Sequence, residues 1–156
     1  LFIPLYAQIR TLGLADSLGG LIAAYPSFTI PFVTCLLMGY FESIPVELEE
    51  AAMIVGATRF GAFRRIILPL APPGVLAAAL YAFTQAWNEF LYALVFITNV
   101  KLRTLPVGLS TFITGDVYGW GYLMAGAVLT TLPVIAAYIY LQKYMVEGLT
   151  AGSVKG

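Results

Sequence analysis

The chain is 156 residues long, 60% hydrophobic and only 10% charged, with a mean hydropathy of +0.89. Ordinary soluble domains carry roughly 25% charged residues, so this composition points to lipid as the solvent. Formal net charge is zero, which excludes a global basic field for nucleic acid; the absence of histidine and the single Cys35 exclude the commonest general base, an intrachain disulfide and a clustered-cysteine metal site.

The charges leave long uncharged runs at 17–41, 66–88 and 117–142. A helix rises about 1.5 Å per residue and the hydrocarbon core is about 30 Å thick, so roughly 20 apolar residues cross it. Lipid offers the backbone no partners, and long continuous runs do not read as alternating barrel strands, so the predicted fold is all-α, a polytopic membrane helical bundle. Residues 1–9, apolar around Pro4, read as the end of an earlier membrane helix emerging into a short loop at 10–16. With Leu1 first and no basic segment followed by a cleavage site, the chain reads as the C-terminal part of a longer polypeptide.

The first complete crossing is predicted at 18–41, bent by Pro26 and Pro31, which remove backbone donors. A polar-to-amphipathic loop occupies 42–69, and a second crossing at 72–98 begins at Pro72, Pro73 and Gly74 and carries Asn88 and Glu89 in its outer half. The outer loop 99–121 holds Lys101, Arg103 and Asp116, and its apolar stretch at 105–112 reads as a re-entrant or interfacial helix. The last crossing is predicted at 122–144, with Gly121, Ala125, Gly126 and Ala127 allowing close helix packing, before a small-residue tail at 145–156. Spans alternate sides, so Arg59, Arg64, Arg65, Lys143 and Lys155 share one face and Arg10, Lys101 and Arg103 the other; the excess places the 42–69 loop in the cytoplasm. Tyr118, Trp120 and Tyr122 read as anchors at the outer membrane boundary, and Tyr138, Tyr140 and Tyr144 at the inner one.

A connector as long as 42–69 between two spans is unusual. Pro45 fits a first helical position after Ser43 and Ile44, and Glu47, Glu49 and Glu50 sit where the helix dipole favours carboxylates. Leu48, Ala51, Ala52 and Val55 follow i, i+3, i+4, i+7 spacing and form a narrow apolar face. Gly56 is predicted to end this helix in a left-handed conformation and Thr58 to cap a second one, with Phe60, Phe63 and Ile67 on one side and Arg59, Arg64 and Arg65 on the other, stopped by Pro69, Pro72 and Pro73. A helix, a glycine turn and a helix suit a partner's groove.

Glu50-Ala51-Ala52, then Gly56, then Ile66 and Leu68-Pro69 match at fixed spacing the EAA loop of binding-protein-dependent ABC importer permeases of type I. Ser43-Ile44-Pro45 with Glu47-Leu48, Trp87-Asn88-Glu89-Phe90, Thr104-Leu105-Pro106-Val107-Gly108-Leu109 and Gly148-Leu149-Thr150-Ala151-Gly152 extend the resemblance to the maltose-type carbohydrate permeases over the whole chain. Many such permeases carry an acidic residue before the motif glycine; Val55 stands there in this sequence and extends the apolar face. The resemblance implies that the helix pair couples the membrane helices to a separate cytoplasmic ATPase, with Glu50 for charge pairing, Ala51 and Ala52 for tight docking and Gly56 for the turn. It implies a second permease subunit, a dimer of ATP-binding subunits, an extracytoplasmic solute-binding protein and a carbohydrate substrate in a bacterial inner membrane. No G-x-x-x-x-G-K-[ST] loop occurs, so this chain is not expected to be an enzyme or to bind a cofactor, ATP and Mg belonging to the partner.

Tyr81, Thr84, Gln85, Asn88 and Tyr92 are spaced three and four apart and share one face of a continuous helix. Two readings stand: a substrate path whose amides, phenols and rings match a sugar, or hydrogen-bonding glue between helices. Glu89 has two readings as well, a group on the path or an anchor near the outer interface, and an ion-coupled carrier in which Glu89 takes a proton is the alternative function.

Overall fold

The computed structural model describes residues 2–114 and 117–153. In chain order the helices are α1 (Phe2–Thr11), α2 (Leu18–Ala24), α3 (Pro26–Glu42), α4 (Glu47–Ile54), α5 (Arg59–Ala62), α6 (Leu68–Leu70), α7 (Pro72–Trp87), α8 (Leu91–Phe96), α9 (Leu105–Ser110) and α10 (Trp120–Ser153). A π-helical segment, Phe63–Ile67, links α5 to α6, and a 3-10 turn covers Val100–Leu102. The two-residue strands β1 (Ile113–Thr114) and β2 (Val117–Tyr118) pair antiparallel, Ile113 opposite Tyr118, as a small hairpin in an otherwise all-α fold.

Two of the apolar runs form helices long and apolar enough to cross a membrane, Leu18–Glu42 and Trp120–Gln142. In the first, Pro26 marks the joint: Tyr25 N–H still donates to the Leu21 carbonyl at 2.9 Å, but Pro26 has no N–H to continue the ladder, so α2 gives way to α3. Pro31 is carried inside α3. The predicted tail at 145–156 is helical as far as Ser153, because α10 continues past the expected end of the last crossing. Asp116 and residues 154–156, with Lys155, lie outside the described residues, as do the side chains of Tyr118, Lys143 and Tyr144.

The chain divides into two units. The first comprises Leu1–Ile30 and Phe83–Ala136. Its core is Ile9, Leu21, Ala24, Tyr92, Ala93, Phe96, Ile97 and Val107, with Phe2, Leu5, Tyr6, Tyr25, Phe28 and Phe90 packed around it. Each buried large side chain contributes roughly 1.5–3 kcal/mol relative to exposure in water, and in lipid the same contacts act through close packing. The apolar stretch read as a re-entrant or interfacial helix is α9, whose Val107 is buried in this core. Gly126 allows close packing within the chain: a Cβ there would collide with the Leu109 side chain of α9.

An unforeseen staple closes one end of the first unit. Asp16, at φ 51°, accepts the N–H groups of Thr98 and Asn99 through Oδ1 at 2.8 and 2.9 Å. The backbone hydrogen bonds from Asn99 and then Thr98 hold its carboxyl below the ordinary value of 3.8. A depressed folded-state pKa supplies stability that is present above the unfolded value and lost as pH falls through the folded one. Hydrogen exchange at the Thr98 and Asn99 amides is therefore expected to stay slow at neutral pH and to accelerate only below the usual carboxylate range. Asp16→Ala should accelerate it at every pH; equal protection in that variant would remove the staple from the account.

The second unit comprises Pro31–Ala82 and Ala137–Gly156. Here the Tyr40 ring covers Gly74, where any Cβ would collide with it, and the Tyr40 hydroxyl donates to the Leu70 carbonyl at 2.7 Å. This clamp holds α3 against the joint between α6 and α7. Phe32 of α3 stacks on Tyr81 of α7 with ring centroids 4.1 Å apart and planes within 16°.

Candidate functional site

The motif loop builds a helix, a turn and a helix, as its residues dictate. α4 begins at Glu47, after Val46, and not at Pro45, whose carbonyl instead accepts from Leu48 N–H at 3.2 Å. Its acidic first turn, Glu47, Glu49 and Glu50, suits the positive end of the helix. Gly56 takes φ 92°, with its N–H bonded to Met53 O and Ala57 N–H to Ala52 O, both at 3.0 Å. That pair of bonds is a Schellman stop, and a residue with a Cβ is strained there. The Thr58 hydroxyl then accepts Gly61 N–H at 3.1 Å and starts α5. Glu49 and Arg59, ten positions apart in sequence and invisible to any helical spacing rule, approach to 3.5 Å across the turn; at this exposure the bridge contributes about 0–1 kcal/mol.

Pro69 does not stop the second helix. Helical backbone continues from Arg59 to Leu70, and the break falls at Ala71, where the chain bends by 61° into α7. The reason is the π-helical segment: Leu68 N–H reaches back five residues to Phe63 O, so the ladder already leaves a carbonyl over, and the donor missing at Pro69 interrupts nothing further. The expected separation of aromatic and basic sides does not hold at Phe60, which lines one cavity with Arg64 and Arg65. Of the motif residues, Glu50, Ala51 and Ala52 lie on α4, Gly56 in the turn, Ile66 in the π-helical segment, and Leu68 and Pro69 in α6. Among the described residues the apolar face is largely uncovered, with Leu48, Ala51 and Val55 exposed and Ala52 partly buried, and the adjoining Ile54 is 86% exposed.

The polar stripe fares differently. The crossing predicted as one helix over 72–98 is two, α7 and α8, and Asn88, Glu89 and Phe90 form the joint. Asn88 ends α7: its backbone N–H and its side-chain amide both donate to Thr84 O, at 3.1 and 2.9 Å. Glu89 starts α8: Oε1 accepts Tyr92 N–H at 2.7 Å and Oε2 accepts Ala93 N–H at 3.0 Å. Trp87 Nε1 donates to Thr130 O of α10 at 2.9 Å. The five residues of the stripe therefore do not share the face of one continuous helix, Tyr92 lying on α8. Tyr92 is 5% exposed inside the first unit's core and shares a hydrogen bond with Ser27 at 3.1 Å; the Tyr25 hydroxyl lies 3.5 Å from Glu89 Oε2. Thr84 is partly buried and Gln85 and Asn88 are exposed in the first unit, while Tyr81 belongs to the second. A carboxylate already holding two backbone donors is built as a helix cap, which removes the observation that motivated a proton-carrying Glu89.

Two apolar helices of spanning length, with an amphipathic helix pair and a capped joint between them in the chain, mark a helical membrane protein. Residues 1–150 match the family of binding-protein-dependent transport system inner membrane components, and the chain belongs to that family. It is 43% identical over 156 residues to the sulfoquinovosyl glycerol transport system permease protein of Agrobacterium fabrum, covering 100% of this chain and 55% of that protein. It is 41% identical over 154 residues to the trehalose/maltose transport system permease protein of Thermococcus litoralis, covering 97% of this chain and 55% of that protein. A probable ABC transporter permease protein of Bacillus subtilis is 42% identical over 154 residues, covering 99% of this chain and 51% of that protein. The chain thus spans about half the length of these relatives.

Proposed function

We propose that the chain works within the membrane subunit of an ATP-driven importer that takes up a carbohydrate, and that the loop at 42–69 is its cytoplasmic contact with a separate ATPase. The observation that carries this reading is the capped helix pair around Gly56, whose apolar face is largely uncovered among the described residues. A rigid helix pair passes a displacement on as a body, whereas a loose loop would absorb it. Glu50 pairs with charge on the ATPase, Ala51 and Ala52 allow close approach, Gly56 sets the turn, and Ile66, Leu68 and Pro69 carry the motion to the joint at Ala71. The second permease subunit, the ATP-binding dimer with its ATP and Mg, and an extracytoplasmic solute-binding protein complete the assembly in a bacterial inner membrane, which the chain crosses several times.

Carbohydrate as the substrate class is supported by the names of relatives that handle trehalose or maltose, sulfoquinovosyl glycerol and diacetylchitobiose. For the substrate path, Tyr81, Thr84, Gln85 and Asn88 remain the proposed lining, their phenol, hydroxyl and amides matching sugar hydroxyls. Glu89 and Tyr92 hold the joint that follows α7 in the chain. Full-length protein assembled with its partner subunits in sealed vesicles is expected to accumulate sugar on ATP alone, with no ion gradient; accumulation that follows a proton gradient and ignores ATP would sink the proposal.

A further inference from the structure

We infer that the cavity beside the Gly56 turn receives an acidic side chain of the ATP-binding subunit, with Arg64 and Arg65 as its cationic wall; this rests on the proposed reading of the loop as that subunit's seat. The cavity measures about 610 Å³ and is lined by Gly56, Thr58, Phe60, Gly61, Arg64 and Arg65. Of the three arginines in this stretch, Arg59 is already engaged by Glu49 at 3.5 Å, whereas Arg64 and Arg65 have no ion pair among the described residues. Both lie in the π-helical segment Phe63–Ile67, a rare turn often found at functional sites, and they line the cavity together with Phe60. Phe60 is 73% exposed and offers an apolar wall for the stem of an entering side chain. Planar guanidinium groups take a carboxylate through paired N–H donors, and arginine with an aromatic neighbour is the composition that dominates binding energy in protein interfaces.

A concave site of this mixed lining favours one inserted side chain over a flat sheet of lipid headgroups. The loop therefore has two charge-bearing parts of opposite sign, the carboxylates of α4 and these arginines, which fixes the orientation of the partner as well as its attachment.

The test uses the full-length permease co-expressed with its second permease and ATP-binding subunits, scored by copurification at low and high salt and by ATP-driven uptake. Reversing both charges, Arg64→Glu with Arg65→Glu, is expected to lower recovery of the ATP-binding subunit at least about tenfold at low salt, as losing a close interfacial charge pair does. Arg64→Lys with Arg65→Lys should hold the subunit at low salt and release it at lower salt than the parent protein. Unchanged recovery in the reversed variant overturns the inference, and so does a variant that copurifies normally and loses activity only in vesicles of anionic lipid, which would assign the cavity to headgroups. Should the reversed variant also lose the second permease, Arg64→Gln with Arg65→Gln decides, and normal recovery there overturns the inference. The broader reading fails separately: it falls if Gly56→Val leaves ATP-driven uptake intact, whatever the arginine variants do.

Discussion

Replacing Gly56 by valine is expected to cut ATP-driven sugar uptake by the assembled transporter at least about tenfold, with the membrane helices still folded. Gly56 sits at φ 92°, where a β-branched residue is strained by roughly 1–3 kcal/mol. Nothing lies within 4 Å of a Cβ built there, so the penalty within this chain is backbone conformation and not collision. The strain is relieved by moving the turn, which displaces α5 and the arginines relative to α4 and unseats the helix pair from a partner shaped to it. Since 1.4 kcal/mol corresponds to a factor of ten, even the middle of that range is sufficient. The ranking of substitutions discriminates the cause. Asparagine tolerates the left-handed region better than alanine, so Gly56→Asn should retain more uptake than Gly56→Ala if conformation is what matters. A ranking by size alone, with alanine best, would instead place the partner's surface directly against this position. Uptake and retention of the ATP-binding subunit should be measured on the same preparations.

Gly56 and Thr58 were legible in the sequence because both act locally: a glycine after an amphipathic helix and a threonine before the next are stop and start signals whose chemistry spans only a few residues. The apolar runs behind α2 and α3 and behind α10 were legible for a different reason, since their length alone meets the thickness of a bilayer. The joint at Asn88, Glu89 and Phe90 was hidden by the same signal. Hydrophobicity continues from α7 into α8, and periodicity does not distinguish one helix from two that are nearly in register. The only local clue was a carboxylate placed to reach the amides of Tyr92 and Ala93, and it was outweighed by the length of the run. The π-helical segment at Phe63–Ile67 has no propensity signature, so the position of Pro69 was read by ordinary helical rules. The Glu49–Arg59 and Asp16–Asn99 contacts depend on tertiary approach and carry no spacing rule at all.

The second large effect concerns that joint. Glu89→Ala is expected to destabilise the protein by about 2–6 kcal/mol, because it leaves two backbone donors without acceptors, each worth roughly 1–3 kcal/mol when buried. Tyr92 is 5% and Ala93 0% exposed, so both amides lie away from bulk water. Low polarity around a membrane helix raises the cost of an open donor further. Glu89→Gln should fall between the two, since its carbonyl oxygen can accept one N–H while its amide nitrogen, a donor itself, faces the other. Freed of its start signal, α8 would fray at Leu91, and the buried ring of Tyr92, which packs on Phe2 at 4.7 Å and Phe28 at 5.2 Å, would lose its fixed position. Thermal unfolding in detergent should therefore rank the parent protein above Glu89→Gln and that variant above Glu89→Ala, with ATP-driven uptake following the same order. A Glu89 that served as an ion carrier predicts another pattern: both variants would be folded and equally dead, and the dependence of uptake on a pH gradient would vanish with them. Equal unfolding temperatures for all three proteins would refute the cap, because no arrangement of the core leaves two buried amides unpaired at no cost.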